Sequence, residues 1–341
     1  MRLYLYRLDM KNKLKKSINT YVIASLLLVS SIFSGMLLPT IAAHAASTGG
    51  TVGKWQTQTN ALPLSLLAAN SIVYNGYVYV FGGFNPDNGD AVNTVFSAQI
   101  DSAGNVGEWN GQGNTPMPIP LFGSSAVVYN GYVFIIGGTN NTLNAPTRSI
   151  YSAPLVDGAV GEWTTYENNL PIALEFQTIV EENGYLYLVD GASADPDGNF
   201  ILSNSVFSAP INNNGTLGSW TQQANFPDSR GYSTSVALDG YLYIFGGNGN
   251  RSGSTIFDTV YSAPIAGGHV GAWTQTNSIP QPKLGLVSVV YGGKIYLLGG
   301  LGGTGNSFDT VFSATLITVQ LEHGRTKATH CHHLSFYQPQ F

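Results

Sequence analysis

Cysteine, histidine and charge are all scarce in this 341-residue chain, and each scarcity removes a class of function. With one cysteine, Cys331, no intramolecular disulfide can form, so stability has to come from packed apolar surface. His269 is the only histidine between residues 47 and 317, and no cysteine lies there. No Ser/His/Asp set, Cys/His pair or multi-histidine metal cluster can be assembled from that region, and neither a metal nor a cofactor is expected. Charged residues make up only 10% of the chain, and 6 of its 14 basic residues (Arg2, Arg7, Lys11, Lys13, Lys15 and Lys16) precede Lys54. From Ser47 onward 8 basic side chains face 18 acidic ones, a net charge of −10. That balance excludes nucleic acid as a natural partner, because phosphates need a basic surface. It also speaks against adhesion to anionic membranes.

The concentration of early positive charge has its own meaning. Lys11 to Lys16 precede an apolar run from Tyr21 to Ile41, and Ala43-His44-Ala45 offers a small-x-small cleavage site. Residues 1–46 are therefore expected to be an export signal, with Met10 a more ordinary start than Met1. The mature protein is expected to be secreted or at the cell surface, free of the membrane after cleavage. Ser30, Ser31, Ser34, Gly35 and Pro39 interrupt the apolar run and weigh against an uncleaved anchor. No cysteine stands at the end of the run to carry a lipid.

What the chain has in abundance is repetition. Tyr74-Asn-Gly-Tyr-Val-Tyr-Val-Phe-Gly-Gly83 returns at 129–138, 182–191, 238–247 and 291–300, and the closing glycines advance by 55, 53, 56 and 53 residues. The five tryptophans, Trp55, Trp109, Trp163, Trp220 and Trp273, keep the same beat. A period near fifty residues marks a repeat architecture, with a propeller blade as its leading unit. Each repeat carries a strand, a two-residue turn, and a continuously apolar strand ended by glycines. The turns are Asn75-Gly76, Asn130-Gly131, Asn183-Gly184, Asp239-Gly240 and Gly292-Gly293, all suited to a type I′ hairpin. A third strand (Thr94–Ala98 and its copies) and a fourth ending in tryptophan (Val106–Trp109, Val160–Trp163, Leu217–Trp220, Val270–Trp273) follow. The expected fold is all-β: a propeller of five four-stranded antiparallel blades over residues 47–317.

The apolar strand ending in Gly-Gly, the later aromatic (Phe96, Tyr151, Phe207, Tyr261, Phe312) and the tryptophan resemble the kelch repeat over about residues 51–316. The interval from that aromatic to the tryptophan is longer than the common kelch spacing. A basic residue ten before the hairpin glycine survives only as Arg230 and Lys283, with Leu66, Leu121 and Leu174 at the matching positions. The resemblance implies a bacterial secreted branch of the kelch and galactose-oxidase propeller superfamily. A copper radical oxidase of that superfamily needs a cysteine-linked tyrosine and is excluded.

Thr51-Val-Gly-Lys-Trp55 matches a fourth strand with no blade before it, while the last repeat, Leu284–Leu316, lacks one. The expectation is closure: the N-terminal strand joins the C-terminal blade and removes both open edges. The competing reading is a truncated or frame-shifted larger propeller, since kelch propellers usually have six or seven blades. Residues 318–341 share nothing with the repeats and are expected to be a disordered tail, where His330-Cys-His-His333 binds zinc only adventitiously.

The turns within repeats are uniform, while the loops after each Gly-Gly pair differ in every copy, so recognition is expected on the irregular face. Its candidate contacts are Asp87, Asn88, Asp90, Asn140, Asn141, Arg148, Asp195, Asp197, Arg230, Arg251 and Lys283. Asp195–Asn199 and Asp87–Asp90 are oxygen-rich but lack EF-hand spacing, and turn chemistry accounts for them. Phe84, Phe200, Phe257 and Phe308 either stack on a ligand or tuck inward. The expected function is a binding module for an extracellular carbohydrate or protein. One alternative is an enzyme like the sialic-acid epimerases among exported kelch propellers. It would use the acids peculiar to the third repeat: Asp190 in place of a glycine, Glu182 in place of the hairpin tyrosine, and Glu175. Another is a structural surface protein.

Overall fold

The computed structural model describes residues 57–140, 145–166, 169–195, 197, 199–250, 254–303, 307–317 and 333–337. Every regular element in them is a strand. Five antiparallel sheets follow one another, one per repeat, and make a five-blade propeller. The inner strands are Asn70–Tyr74, Ser125–Tyr129, Thr178–Glu182, Thr234–Leu238 and Val287–Tyr291. Each pairs with the apolar second strand (Tyr77–Phe81, Tyr132–Ile136, Tyr185–Val189, Tyr241–Phe245, Lys294–Leu298) through a two-residue turn. Asn75 and Gly76 sit at φ 48° and 80°, and the other four turns repeat those values closely, as a type I′ turn requires.

The fourth strand departs from expectation. In blades one to four the valine or leucine before each Gly-x-Trp pairs with the third strand, pairing breaks at the tryptophan, and it resumes just after it. Blade one keeps only isolated bridges there, Ile100 to Val106 and Ser97 to Asn110, and is a three-stranded sheet. In blades one to three the indole of the tryptophan bonds to the linker that precedes its own blade, whereas Trp273 Nε1 is buried without a hydrogen-bond partner among the described residues. Trp109 Nε1 donates to the Asn60 carbonyl (3.2 Å), Trp163 to the Thr115 carbonyl (3.0 Å), and Trp220 to Asn169 Oδ1 (3.0 Å).

Blade five holds a second departure. Its outer strand is His333–Tyr337, from the stretch expected to be a loose tail, paired along Val311–Ile317. The segment expected to close the ring, Thr51–Trp55, lies outside the described residues.

Candidate functional site

Around the axis the blades are tied by residues with left-handed backbones. Ala68, Gly123, Phe176, Tyr232 and Gly285, all at φ between 51° and 63°, hold the same place in successive repeats. The Gly123 N–H donates to the Ala68 carbonyl (3.2 Å), Phe176 to Gly123 (2.7 Å), Tyr232 to Phe176 (3.0 Å) and Gly285 to Tyr232 (2.8 Å). A left-handed phenylalanine or tyrosine is strained, at about 1 kcal/mol or more. Its side chain is thrown toward the mouth of the axis, on the irregular-loop side. There the rings form an arc: Phe84 edge-on to Phe122 (5.6 Å), Phe122 to Phe176 (6.3 Å), and Phe176 stacked on Tyr232 (4.1 Å, 19°). All four are half-buried. The polar groups at the same ends of the blades are buried: Asn85, Asn140, Glu175 and Asn248.

Blade three supplies the unusual acids, and the fold separates them. Asp190 stands at φ 55° where blades one, two, four and five have Gly82, Gly137, Gly246 and Gly299, and its side chain is wholly buried. Ser233 Oγ donates to Asp190 Oδ2 at 2.5 Å, while Oδ1 has no hydrogen-bond partner. Burial pushes the carboxyl up to about 8, against the pull of Ser233 and the Arg230 charge. Glu175 pairs across to Ala192 through the backbone, at the same end of the blade. Glu182 closes the inner strand at the opposite end, roughly 13 Å from Thr178 at about 3.3 Å per residue. Only Glu175 and Asp190 therefore share a locale, and both are inside. Sequence reading passed over Glu181, a buried carboxylate that accepts from the Gly184 N–H (2.8 Å) and is raised by burial.

The two basic candidates are corrected by the structure: Arg230 and Lys283 are fully buried and cannot form part of a contact face. Arg230 donates to the Gly246 carbonyl (2.7 Å), Asp228 (2.5 Å) and Thr259 Oγ1 (3.1 Å), with its guanidinium 4.1 Å over the Phe257 ring. Lys283 Nζ donates to the Gly299 carbonyl (2.9 Å) and to Thr310, over the rings of Phe308 and Phe312. Desolvation lowers both, Lys283 to about 8. Phe257 and Phe308 thus tuck inward as floors for these cations, whereas Phe84 joins the arc. Leu121 and Leu174 fill the matching corners of other blades, also fully buried.

Of the remaining candidates, Asp87, Asn88 and Asp90 are exposed on one tight turn, in which Asn85 and Asn88 side chains accept from the Asp87 and Asp90 N–H groups. Asp195 accepts from the Asn199 side chain and backbone and from the Asp197 N–H, bonds that hold its carboxyl below the usual range. Both oxygen-rich loops spend their carboxylates or amides on turn geometry. Arg148 is exposed, with Nε donating to the Leu170 carbonyl (2.6 Å), and Asn140 is buried. Asn141 and Arg251 lie outside the described residues. A cleft of about 600 Å³ lies away from all of these, at the outer edge of blade one between Thr57–Asn60 and Gln99–Gly107.

No family profile matches the chain. Beta-scruin of Limulus polyphemus is 30% identical over 205 residues, 56% of this chain and 21% of that protein. Kelch-like protein terF of Aspergillus terreus is 28% identical over 73% of this chain and 52% of that protein. N-acetylneuraminate epimerase of Shigella boydii is 38% identical over 86 residues, 24% of this chain and 23% of that protein. The chain thus spans between about a fifth and a half of the length of these curated relatives. The solved structure of YjhT superposes with a TM-score of 0.62 at 15% identity, covering 80% of this chain and 84% of that one. Repeats, blades and relatives agree: the chain is a kelch-repeat β-propeller.

Proposed function

We propose that this propeller is an exported interaction module whose irregular-loop face binds an extracellular carbohydrate or protein. The kelch relationship supports an interaction role in general. The observation that carries the finer reading is the arc Phe84–Phe122–Phe176–Tyr232 at the axis mouth. Two of its members, Phe176 and Tyr232, occupy backbone conformations that glycine would hold without strain. Backbone strain retained to present aromatic rings beside amide side chains suits stacking on a sugar face or an apolar side chain of a partner. Export rests on the basic and apolar segments before Ala45, and N-terminal sequencing of the secreted product after Ala45 would bear it out.

A glycan array and a surface-protein pull-down, each run with wild type and with the Phe176→Ala/Tyr232→Gly double variant, test the reading. Binding that falls at least tenfold in the folded variant supports it; binding indifferent to the arc refutes it. A second reading is catalysis by the acids of blade three, favoured by the short match to an epimerase. Turnover of an N-acylated amino sugar that disappears in Asp190→Asn would establish that reading. The complete burial of Asp190 argues against substrate contact.

A further inference from the structure

The tight turns of blades one, two and three carry the same dipeptide, Asn75-Gly76, Asn130-Gly131 and Asn183-Gly184. They also share one backbone, with the asparagines at φ 48°, 47° and 52° and the glycines at 80°, 80° and 78°. All three asparagines are exposed. An asparagine followed by glycine is chemically labile, because glycine has no side chain to keep its nitrogen away from the asparagine carboxamide carbon. When that nitrogen attacks, a cyclic succinimide forms and ammonia leaves. The step is helped by a base for the backbone N–H and by an acid for the departing nitrogen.

Among the described residues, the third of these turns alone has an acid on each of the two nitrogens. The Gly184 N–H donates to Glu181 Oε1 at 2.8 Å, and Asn183 Nδ2 donates to Glu182 Oε1 at 3.1 Å. In blades one and two the place of Glu181 is taken by Val73 and Val128, and that of Glu182 by Tyr74 and Tyr129. Strand pairing therefore needs neither acid. Asn130 Nδ2 donates to the Asn213 carbonyl instead (3.1 Å), which holds the amide but has no proton to give. In three Asn-Gly pairs outside the hairpins, Gly89, Gly215 and Gly249 give their N–H groups to backbone carbonyls at 2.8–3.0 Å. The Tyr129 hydroxyl lies against Gly184, but Tyr74 lies against Gly131 in the same way, so the phenol is not what sets the third turn apart. Glu181 is buried and Glu182 half-buried. Desolvation raises both carboxyls, against the bonds from Gly184 and Asn183, and the charges of Glu182 and Asp239 add to it. A raised carboxylate is the stronger base, and a raised carboxyl keeps its proton closer to neutral pH.

We propose that the turn Glu181–Gly184 is a self-modifying site, at which Glu181 and Glu182 drive the cyclisation and deamidation of Asn183. Glu181 takes the Gly184 proton as that nitrogen bonds to Asn183 Cγ. The Cγ–Nδ2 bond then breaks, and Glu182 in its protonated form supplies the proton with which Nδ2 leaves as ammonia. The proton on Glu181 passes to Glu182 through solvent, so the pair ends as it began. Water is the one co-reactant: its hydroxyl adds to a carbonyl carbon of the succinimide and its proton goes to the ring nitrogen. The ring opens to aspartate or isoaspartate at position 183. Aspartate keeps the turn, since blade four already carries Asp239 there at φ 53°. Isoaspartate lengthens the turn by one backbone carbon. Either product adds a negative charge close to Glu182 and Asp239.

The test incubates the full chain in warm neutral buffer made with heavy-oxygen water, and peptide mass spectrometry follows the three turns in the same molecule. Asn183 should be lost at least about tenfold faster than Asn75 or Asn130, a part of the roughly 10²–10⁴-fold that general acid–base catalysis contributes. A smaller excess overturns the proposal and means that the two hydrogen bonds only pin the turn. Glu181→Gln keeps an acceptor for the Gly184 N–H but no base, and Glu182→Gln keeps one for Asn183 Nδ2 but no acid. Each should bring Asn183 down toward the rate of Asn75 while the circular dichroism spectrum stays that of wild type. An excess that survives both substitutions overturns the proposal. So does an excess of the same size in urea, which would place the cause in the local sequence and not in the folded turn.

Discussion

Replacing Asp190 by asparagine isolates the electrostatic cost of the one carboxyl buried at a glycine position. Asparagine tolerates the left-handed backbone at φ 55° and can still accept from Ser233, so the change removes little but the ionisable proton. The carboxyl moves from 3.8 to about 8 on folding, so the folded protein holds its proton more tightly than the unfolded chain. The sign follows from linkage: no penalty exists below about pH 4, it grows as pH rises from 4 to 8, and it is constant above 8. At about 1.4 kcal/mol per tenfold change in proton affinity, its ceiling is roughly 5–6 kcal/mol. For a domain of this size that is a difference in melting temperature on the order of 10 °C. Thermal melts of wild type and Asp190→Asn should coincide near pH 4 and diverge toward pH 8, with the variant the more stable. Curves separated by a constant amount across that range would show that the carboxyl has the same affinity for protons in both states, and the argument from burial would be wrong.

Other expectations follow from the same packing. Lys283 is lowered to about 8, the opposite sign: its penalty is complete below pH 8 and fades between 8 and 10.5. The melting temperature of Lys283→Met relative to wild type should therefore fall over that interval. Arg230→Leu, which installs the residue used by blades two and three, should be milder than Arg230→Ala, which leaves a cavity and costs about 3–5 kcal/mol by urea titration. Gly82→Ala drives a methyl to 2.6 Å from the Leu121 carbonyl and should cost more than 2 kcal/mol, against about 1 kcal/mol for Gly299→Ala.

The blades were legible because their determinants are local and repeated. Asn-Gly turns demand positive φ, apolar second strands demand burial on both faces, and each recurs five times. The arc at the axis was not legible. Phe122, Phe176 and Tyr232 fall just before the inner strands, where nothing in composition tells a core ring from a presented one. The available signal was a comparison down the repeats: large aromatics aligned with Ala68, Gly123 and Gly285 at a place the backbone reserves for positive φ. Arg230 and Lys283 misled for a related reason, because a basic residue in a variable segment reads as surface until Phe257 and Phe308 are seen beneath them. The outer strand was misplaced because tryptophan favours strands, yet the indole N–H groups of Trp109, Trp163 and Trp220 are claimed by the preceding linkers.

The backbone bonds that tie the blades around the axis all run between blades adjacent in the chain, and this bears on how the protein is made. A blade leaving the ribosome finds its required neighbour already synthesised about fifty residues earlier, so each sheet can set against the last without waiting for the C-terminus. Folding can then proceed as growth from one end, with each addition lowering the free energy by a nearly equal increment.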